Sequence, residues 1–267
     1  MNNADKGVFE FEGKRRTYWV FQPELHDGGG PLPLVINLHG YSESATLEAY
    51  RSDMNAFAEK EYFIVCYPEG TGLRKAWNTK GERDADDVGF ISTLIDTLIF
   101  NYHIDTTRIY LVGFSNGSRM AMIAGSALSR RISAIAVAGS FLSKKELESL
   151  DPGKGIRLIG FHARDDHAAK YEWDKRDSVL YSSVYIIFST WAQKCGCSPR
   201  PDTAAFEGDV LKIRWHNDST GIEVVLWVTP EGGHTWPGGK GIPFPGGAKP
   251  FQKINSNELM WEFFSTP

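Results

Sequence analysis

The chain has 267 residues, of which 42% are hydrophobic and 23% are charged, and its formal net charge is −4. These proportions are typical of a globular protein and exclude a collagen-like, disordered or disulfide-scaffold chain. A net negative charge does not attract nucleic acid or an anionic membrane, and we expect neither as a partner. No apolar run approaches the ~20 residues that span a bilayer.

Short apolar runs alternate with helical patterns along the chain. Two runs around Gly13 predict an antiparallel N-terminal hairpin, Val8–Glu12 with Thr17–Phe21. Five nearly continuous apolar runs predict strands of a parallel sheet covered on both faces: Leu34–Leu38, Tyr62–Cys66, Arg108–Phe114, Ile132–Ala138 and Ile156–Phe161. A second hairpin is predicted from Leu211–His216 and Glu223–Val228.

Helical patterns fill the intervals between these runs. The clearest follows Asp84, where Ile91, Leu94, Ile95, Leu98 and Ile99 form one apolar stripe. The others are Thr46–Lys60, Asn116–Leu128, Val179–Lys194 and Ser256–Phe264. Repeated strand–helix–strand units predict a doubly wound, mostly parallel α/β sheet with an antiparallel N-terminal hairpin, and residues 1–267 are expected to form one domain.

One predicted strand runs directly into a G-x-S-x-G pentapeptide, Gly113–Gly117, and a predicted helix follows it. A sharp turn of this kind lifts a serine above the sheet, and the flanking glycines avoid collisions inside the turn. We therefore expect Ser115 to be a nucleophile. The Asn116 N–H, at the start of the helix, is expected to stabilise an oxyanion.

A serine nucleophile needs a base and an acid, which in this fold class follow it in the order acid, then histidine. His234, in a glycine-rich loop after the last predicted strand, is the expected base. Asp165 and Asp166 both follow the strand Ile156–Phe161, and the spacing alone does not separate them. His162, Asp166 and His167 could suggest a metal cluster, but a fourth ligand is missing, so no metal is expected.

A second oxyanion donor is expected from the loop after the strand Leu34–Leu38. There the Tyr41 N–H follows Gly40, whose lack of a side chain would let the backbone approach a substrate.

Several motifs together give the chain a recognisable resemblance. They are Leu38-His39-Gly40, Tyr67-Pro68-Glu69-Gly70, Trp77-Asn78, Asp86–Phe90, Gly113–Met120 and Gly233–Pro237. With them, the chain resembles the α/β-hydrolase family of feruloyl esterases, acetylxylan esterases and polyhydroxybutyrate depolymerases. The resemblance implies the α/β-hydrolase fold. It also favours Asp166 as the acid, because members carry His-Gly-Thr-x-Asp with a Tyr five residues on, matched here by His162, Asp166 and Tyr171.

The chain also departs from the family pattern. Ala163-Arg164 replace Gly-Thr, and Tyr41 stands where many members have a cysteine. Trp77 and Trp236 match positions that lie near the acyl or sugar group in such enzymes, so both are expected to bind substrate, although packing in the core is the alternative for each.

These observations predict a serine carboxylic-ester hydrolase that works through an acyl-enzyme and needs no cofactor. The resemblance and the aromatic content favour feruloyl or acetyl esters of plant polysaccharide, with polyhydroxybutyrate oligomers as the alternative. A peptidase or thioesterase would share the same residues, and a non-catalytic binding protein on the same scaffold is the contrasting class. Family members are often secreted, but Met1–Val20 contains no signal-peptide hydrophobic region, so the location is not predicted.

Overall fold

A computed structural model describes residues 4–24, 29–81, 84–140, 142–153, 155–173, 182–242 and 247–266. Its strands are β1 (Ala4–Phe11), β2 (Lys14–Phe21), β3 (Leu32–Leu38), β4 (Ile64–Pro68), β5 (Ile104–Phe114), β6 (Ala134–Ala138), β7 (Arg157–Ala163), β8 (Asp202–Phe206), β9 (Val210–Asn217) and β10 (Ile222–Thr229). Its helices are α1 (Ala45–Ser52), α2 (Met54–Glu61), α3 (Asp87–Asn101), α4 (Asn116–Ala127), α5 (Lys144–Ser149), α6 (Val184–Lys194) and α7 (Ser256–Ser265).

The strands form one sheet in the order β1-β2-β4-β3-β5-β6-β7-β10-β9-β8. The six strands from β4 to β10 in this order pair in parallel, and antiparallel strands flank them at both ends. This is the α/β-hydrolase fold, and it confirms the predicted mostly parallel sheet with an antiparallel N-terminal hairpin.

Helices cover both faces of the sheet, which explains why its central strands are continuously apolar. Side chains of α3, α4 and α6 pack in one core cluster, and those of α1, α2 and α7 pack in the other. Strand β3 serves both clusters, with Leu34 and Ile36 in the first and Val35 in the second, as the two-residue period of a strand requires.

The parallel pairing brings the loops that follow β3, β5, β7 and β10 to one edge of the sheet. All the expected catalytic groups follow these four strands. The edge therefore collects residues from distant parts of the chain, as is usual for ligand sites in open α/β sheets.

Some local predictions were wrong. The helix expected at Thr46–Lys60 is divided between α1 and α2 because Asp53 has a left-handed φ of 51°. The short α5 and the wholly exposed β8 were not predicted. A helix was expected over Val179–Lys194, and the structure has α6 over Val184–Lys194. Residues 179–181 of the expected helix lie outside the described part of the chain. No helix in the described ranges is long and apolar enough to span a bilayer.

Candidate active site

Ser115 occupies a sharp turn between β5 and α4, with φ 53° and ψ −115°. An L-residue with positive φ is strained, and such strain persists only where the surroundings fix the backbone. The Ser115 N–H donates to the Ala138 carbonyl at 3.0 Å, and the Ser115 carbonyl accepts the Ser118 hydroxyl at 2.6 Å. The turn is therefore held from the neighbouring strand and from the helix that follows.

The two glycines of the pentapeptide are sterically required. A Cβ on Gly113 would lie 2.3 Å from the Gly117 carbonyl oxygen. One on Gly117 would lie 2.0 Å from the carbonyl oxygen of Leu38, at the end of β3. The glycines thus permit the tight turn and the close approach of α4 to the neighbouring strand, which is the role that the sequence predicted for them.

His234 lies beside this turn. Its ring centroid is 4.7 Å from that of Phe114, the residue before the serine. A Cβ on Gly139 would lie only 2.8 Å from the imidazole Cε1, so the ring packs against the loop after β6. Among the described residues no hydrogen bond joins the Ser115 hydroxyl to this ring. Such bonds are often long in free enzymes and shorten when substrate binds.

The two adjacent aspartates have different partners. Asp166 accepts a hydrogen bond from His234 Nδ1 through Oδ2 at 2.7 Å. Its Oδ1 accepts the N–H groups of Ala168 and Ala169, at 2.9 and 2.8 Å. Asp165 instead accepts the Gly233 N–H at 2.8 Å. Of the two aspartates that the spacing could not separate, Asp166 is the one paired with the imidazole, and Asp165 anchors the loop that carries it.

The environment of Asp166 favours its charged form. Burial raises the pKa of this carboxyl, but the hydrogen bond and charge of His234, together with the nearby His162, outweigh burial, so the net pKa lies below its usual value. An ionised acceptor fixes the proton of the imidazole on Nδ1 and leaves Nε2 free to accept one from a serine.

His39 orients the loop that follows β3. Its buried ring donates from Nδ1 to the Gly40 carbonyl at 2.7 Å, and its Nε2 accepts the Gly70 N–H at 2.9 Å. These partners define a neutral imidazole, and burial lowers its pKa accordingly. The Gly40 carbonyl and the Tyr41 N–H belong to the same peptide plane, so the His39 ring also sets the direction of the Tyr41 N–H.

A cleft of about 300 Å³ adjoins the two expected oxyanion donors, Tyr41 and Asn116. The residues that line it are mostly polar, and none is acidic: Tyr41, Ala76, Trp77, Asn78, Thr79, Lys80, Asn116 and Arg119. The Asn116 side chain accepts the Trp77 N–H at 2.8 Å and so fixes one wall of the cleft.

The two tryptophans are more deeply buried than a substrate contact requires. Trp77 is 2% exposed and borders the cleft, and its indole N–H donates to the His39 carbonyl at 2.8 Å. Trp236 has no exposed surface, and its indole donates to Asn257 at 3.1 Å. The structure gives Trp236 a packing role. Its buried position does not support the expected contact with a substrate, which stays a prediction.

Sequence reasoning missed the polar side chains that hold the loop after β3. From the sequence, His39 was named only as part of the motif Leu38-His39-Gly40, and Glu43 and Arg51 were not named. Their signal is weak, because the partners of Glu43 are a backbone N–H at Gly40 and a guanidinium eight residues away.

Comparisons with known proteins agree with this architecture. Residues 25–144 match the family described as esterase PHB depolymerase. The chain is 33% identical over 125 residues to the bifunctional acetylxylan esterase/xylanase of Neocallimastix patriciarum. These residues make up 47% of this chain and 18% of that protein. It is 23% identical to feruloyl esterase D of Neurospora crassa over 99% of this chain and 87% of that one. The solved acetyl xylan esterase from Aspergillus awamori shares the fold with a TM-score of 0.65, at 16% identity over 93% of both chains.

The fold and the site define an α/β hydrolase. Within that class, the matches confirm the resemblance that the motifs indicated, which is to the family of acetylxylan esterases, feruloyl esterases and polyhydroxybutyrate depolymerases. The match spans less than a fifth of the length of the bifunctional relative. The activities of that whole protein are therefore not assigned to this chain.

Proposed function

We propose that the protein is a serine carboxylic-ester hydrolase in which Ser115, His234 and Asp166 form the catalytic triad. The observation that carries the proposal is the 2.7 Å hydrogen bond between His234 and the buried carboxylate of Asp166, beside the strained turn at Ser115. A buried carboxylate that orients an imidazole next to a strained serine is the arrangement that activates a hydroxyl for nucleophilic attack.

The proposed reaction proceeds in two steps. His234 Nε2 takes the Ser115 proton as the oxygen attacks the ester carbonyl, and the resulting imidazolium then protonates the departing alcohol. Water, deprotonated by the same imidazole, attacks the acyl-enzyme and releases the acid and the free serine. The N–H groups of Tyr41 and Asn116 would stabilise the negative oxygen in both steps, and one such donor is worth about 2.7–4 kcal/mol.

For the substrate, we propose an acetyl or feruloyl ester of a plant polysaccharide. Besides the family relationship, the polar lining of the cleft supports this choice, because Thr79 and Lys80 offer hydrogen bonds to a hydroxylated alcohol and little apolar surface to a polyester. Polyhydroxybutyrate oligomers are the alternative, supported by the description of the matching family.

Rates on acetylated xylan, methyl ferulate and hydroxybutyrate oligomers would test this proposal. We expect kcat/KM to be highest for one of the first two substrates and to be abolished in Ser115→Ala. The highest rate on the oligomers would favour the alternative substrate, whereas turnover retained in Ser115→Ala would refute the proposed mechanism.

A further inference from the structure

A largely buried ionic cluster lies beneath the loop that carries the Tyr41 N–H, with the Glu43 side chain 17% exposed. Glu43 Oε2 accepts the Gly40 N–H at 2.9 Å and also accepts from Arg51 Nη1 at 2.9 Å. Arg51 Nη2 donates to Glu43 Oε1, so the two side chains meet as a two-pronged pair. The Arg51 side chain is 1% exposed, and it also donates to the fully buried Glu48 at 2.8 Å.

The same arginine also contacts the turn after β5 and the segment that follows the loop after β10. Its guanidinium carbon lies 4.0 Å from the ring centroid of Phe114, the ring that packs against His234. Its carbonyl accepts the Lys240 N–H at 2.8 Å, in the segment that follows the histidine loop. Arg51 therefore touches the oxyanion loop, the nucleophile turn and the chain beyond His234 at once.

Space around Gly40 is too tight for this loop to take another position easily. A Cβ on Gly40 would lie 2.6 Å from Glu43 Oε2 and 3.3 Å from the Phe114 ring. Glu43 thus holds the peptide unit before the Gly40 Cα through its N–H, and His39 holds the unit after it through its carbonyl. Because the second unit also contains the Tyr41 N–H, fixing the backbone on both sides of Gly40 presents that N–H in one direction.

We propose that Glu43 and Arg51 are positioning residues of the oxyanion hole, which fix the Tyr41 N–H relative to Ser115 and His234 through the Gly40 N–H and the Phe114 ring. This inference rests on the proposed function. It adds that a carboxylate outside the lining of the cleft controls transition-state stabilisation. A displacement of about 1 Å in such a donor can cost on the order of 10² in rate.

The test compares Glu43→Gln and Glu43→Ala with wild type. Gln keeps an acceptor for the Gly40 N–H, and Arg51 keeps Glu48 as its charged partner, so this variant is expected to fold. We expect kcat to fall about tenfold in Glu43→Gln and about 10²-fold in Glu43→Ala, with KM changed less than about threefold, because the donor acts mainly on the transition state.

A thionoester substrate provides a readout that general destabilisation would not move. Sulfur accepts hydrogen bonds weakly, so an aligned oxyanion hole favours the ester over its thionoester. We expect this preference to shrink in both Glu43 variants. Glu223→Gln is the matched control, because it removes a partly exposed ion pair with Arg214 at the far side of the sheet, and both kcat and the preference should stay at wild-type values.

Hydrogen exchange gives a measurement that does not depend on activity. The amides of His39–Glu43 should exchange faster in Glu43→Gln than in wild type, and those of Ser115–Arg119 should be unchanged. Wild-type kcat and an unchanged thionoester preference in Glu43→Ala, or unchanged exchange in Glu43→Gln, would overturn the inference. Failure of the proposed function would appear separately, as turnover that survives in Ser115→Ala.

Discussion

His234 Nδ1 lies 2.7 Å from Asp166 Oδ2, while the neighbouring Asp165 accepts the N–H of Gly233, one residue before the histidine. The two consecutive carboxylates thus hold the same loop, one through its imidazole and the other through its backbone. Only the first can control the protonation of the ring, and this difference gives the first prediction.

Asp166→Asn should lower kcat about 10⁴-fold, because the amide can stabilise the wrong imidazole tautomer and cannot stabilise the imidazolium. Asp165→Asn is the matched control, since an amide oxygen can still accept the Gly233 N–H, and kcat should stay within about tenfold of wild type. Steady-state rates on an activated acetyl ester would measure both. Equal losses in the two variants would contradict the assignment of Asp166.

Gly117→Ala should destabilise the protein, although alanine normally stabilises a helix by about 1 kcal/mol relative to glycine. The new methyl group would lie 2.0 Å from the Leu38 carbonyl oxygen, so backbone must move, at a cost of about 1–3 kcal/mol or more. Urea unfolding measures this loss. Gly30→Ala is the control, because a Cβ there meets no atom within 4 Å, and its free energy of unfolding should be no lower than that of wild type. A Gly117→Ala variant as stable as wild type would show that the turn is less tightly packed than described.

Stability should decline as the pH falls below about 6.5, the ordinary pKa of an unfolded histidine. Burial lowers the pKa values of His39 and His162 in the folded protein, so the unfolded chain binds protons that the folded one does not. The stabilisation is complete above about pH 6.5 and is lost toward acid, at up to about 1.4 kcal/mol per pH unit for each histidine.

Urea unfolding between pH 8 and pH 5 tests this dependence. His162→Gln should flatten the slope, because its amide nitrogen takes the place of the imidazole Nε2 and can still donate to the Ala169 carbonyl, but the amide does not titrate. A free energy of unfolding that is constant from pH 7 to pH 5 in wild type would contradict the account.

Trp236→Phe should weaken the fold without changing substrate preference. The variant leaves the Asn257 oxygen without the indole donor in a buried setting, which costs about 1–3 kcal/mol. The ratio of kcat/KM for methyl ferulate to that for an acetyl ester should equal the wild-type ratio. A selective loss on methyl ferulate would restore the expectation that Trp236 contacts the acyl group.

The sequence was most informative where one physical constraint dominates. Nearly continuous apolar runs predicted the central strands, because a strand covered on both faces has no solvent-exposed position. The pentapeptide Gly113–Gly117 predicted the turn, because only glycine fits at its two ends. The place of His234 after β10, the last strand in the chain, led to its prediction as the base, and the structure puts its ring against Phe114 beside the Ser115 turn.

Other features depend on contacts that no local pattern encodes. Spacing alone could not separate Asp166 from Asp165, because both follow β7 within three residues. The direction of each carboxylate depends on how the loop after β7 folds. Asp53 separates α1 from α2 in a left-handed conformation. Aspartate can adopt this conformation, but the residue type alone does not predict it. The cluster of Glu43 and Arg51 arises only when α1 packs beside the turn at Ser115, and the deep burial of Trp236 likewise depends on tertiary packing.

Labelling with a fluorophosphonate tests the central claim most directly, because the probe reacts only with an activated serine. Peptide mapping of the labelled wild-type protein should place one adduct on Ser115, and the same treatment should leave Ser115→Ala and His234→Ala unmodified. An adduct on a different residue, or the absence of any adduct on folded wild-type protein, would contradict the assignment of Ser115 as the nucleophile.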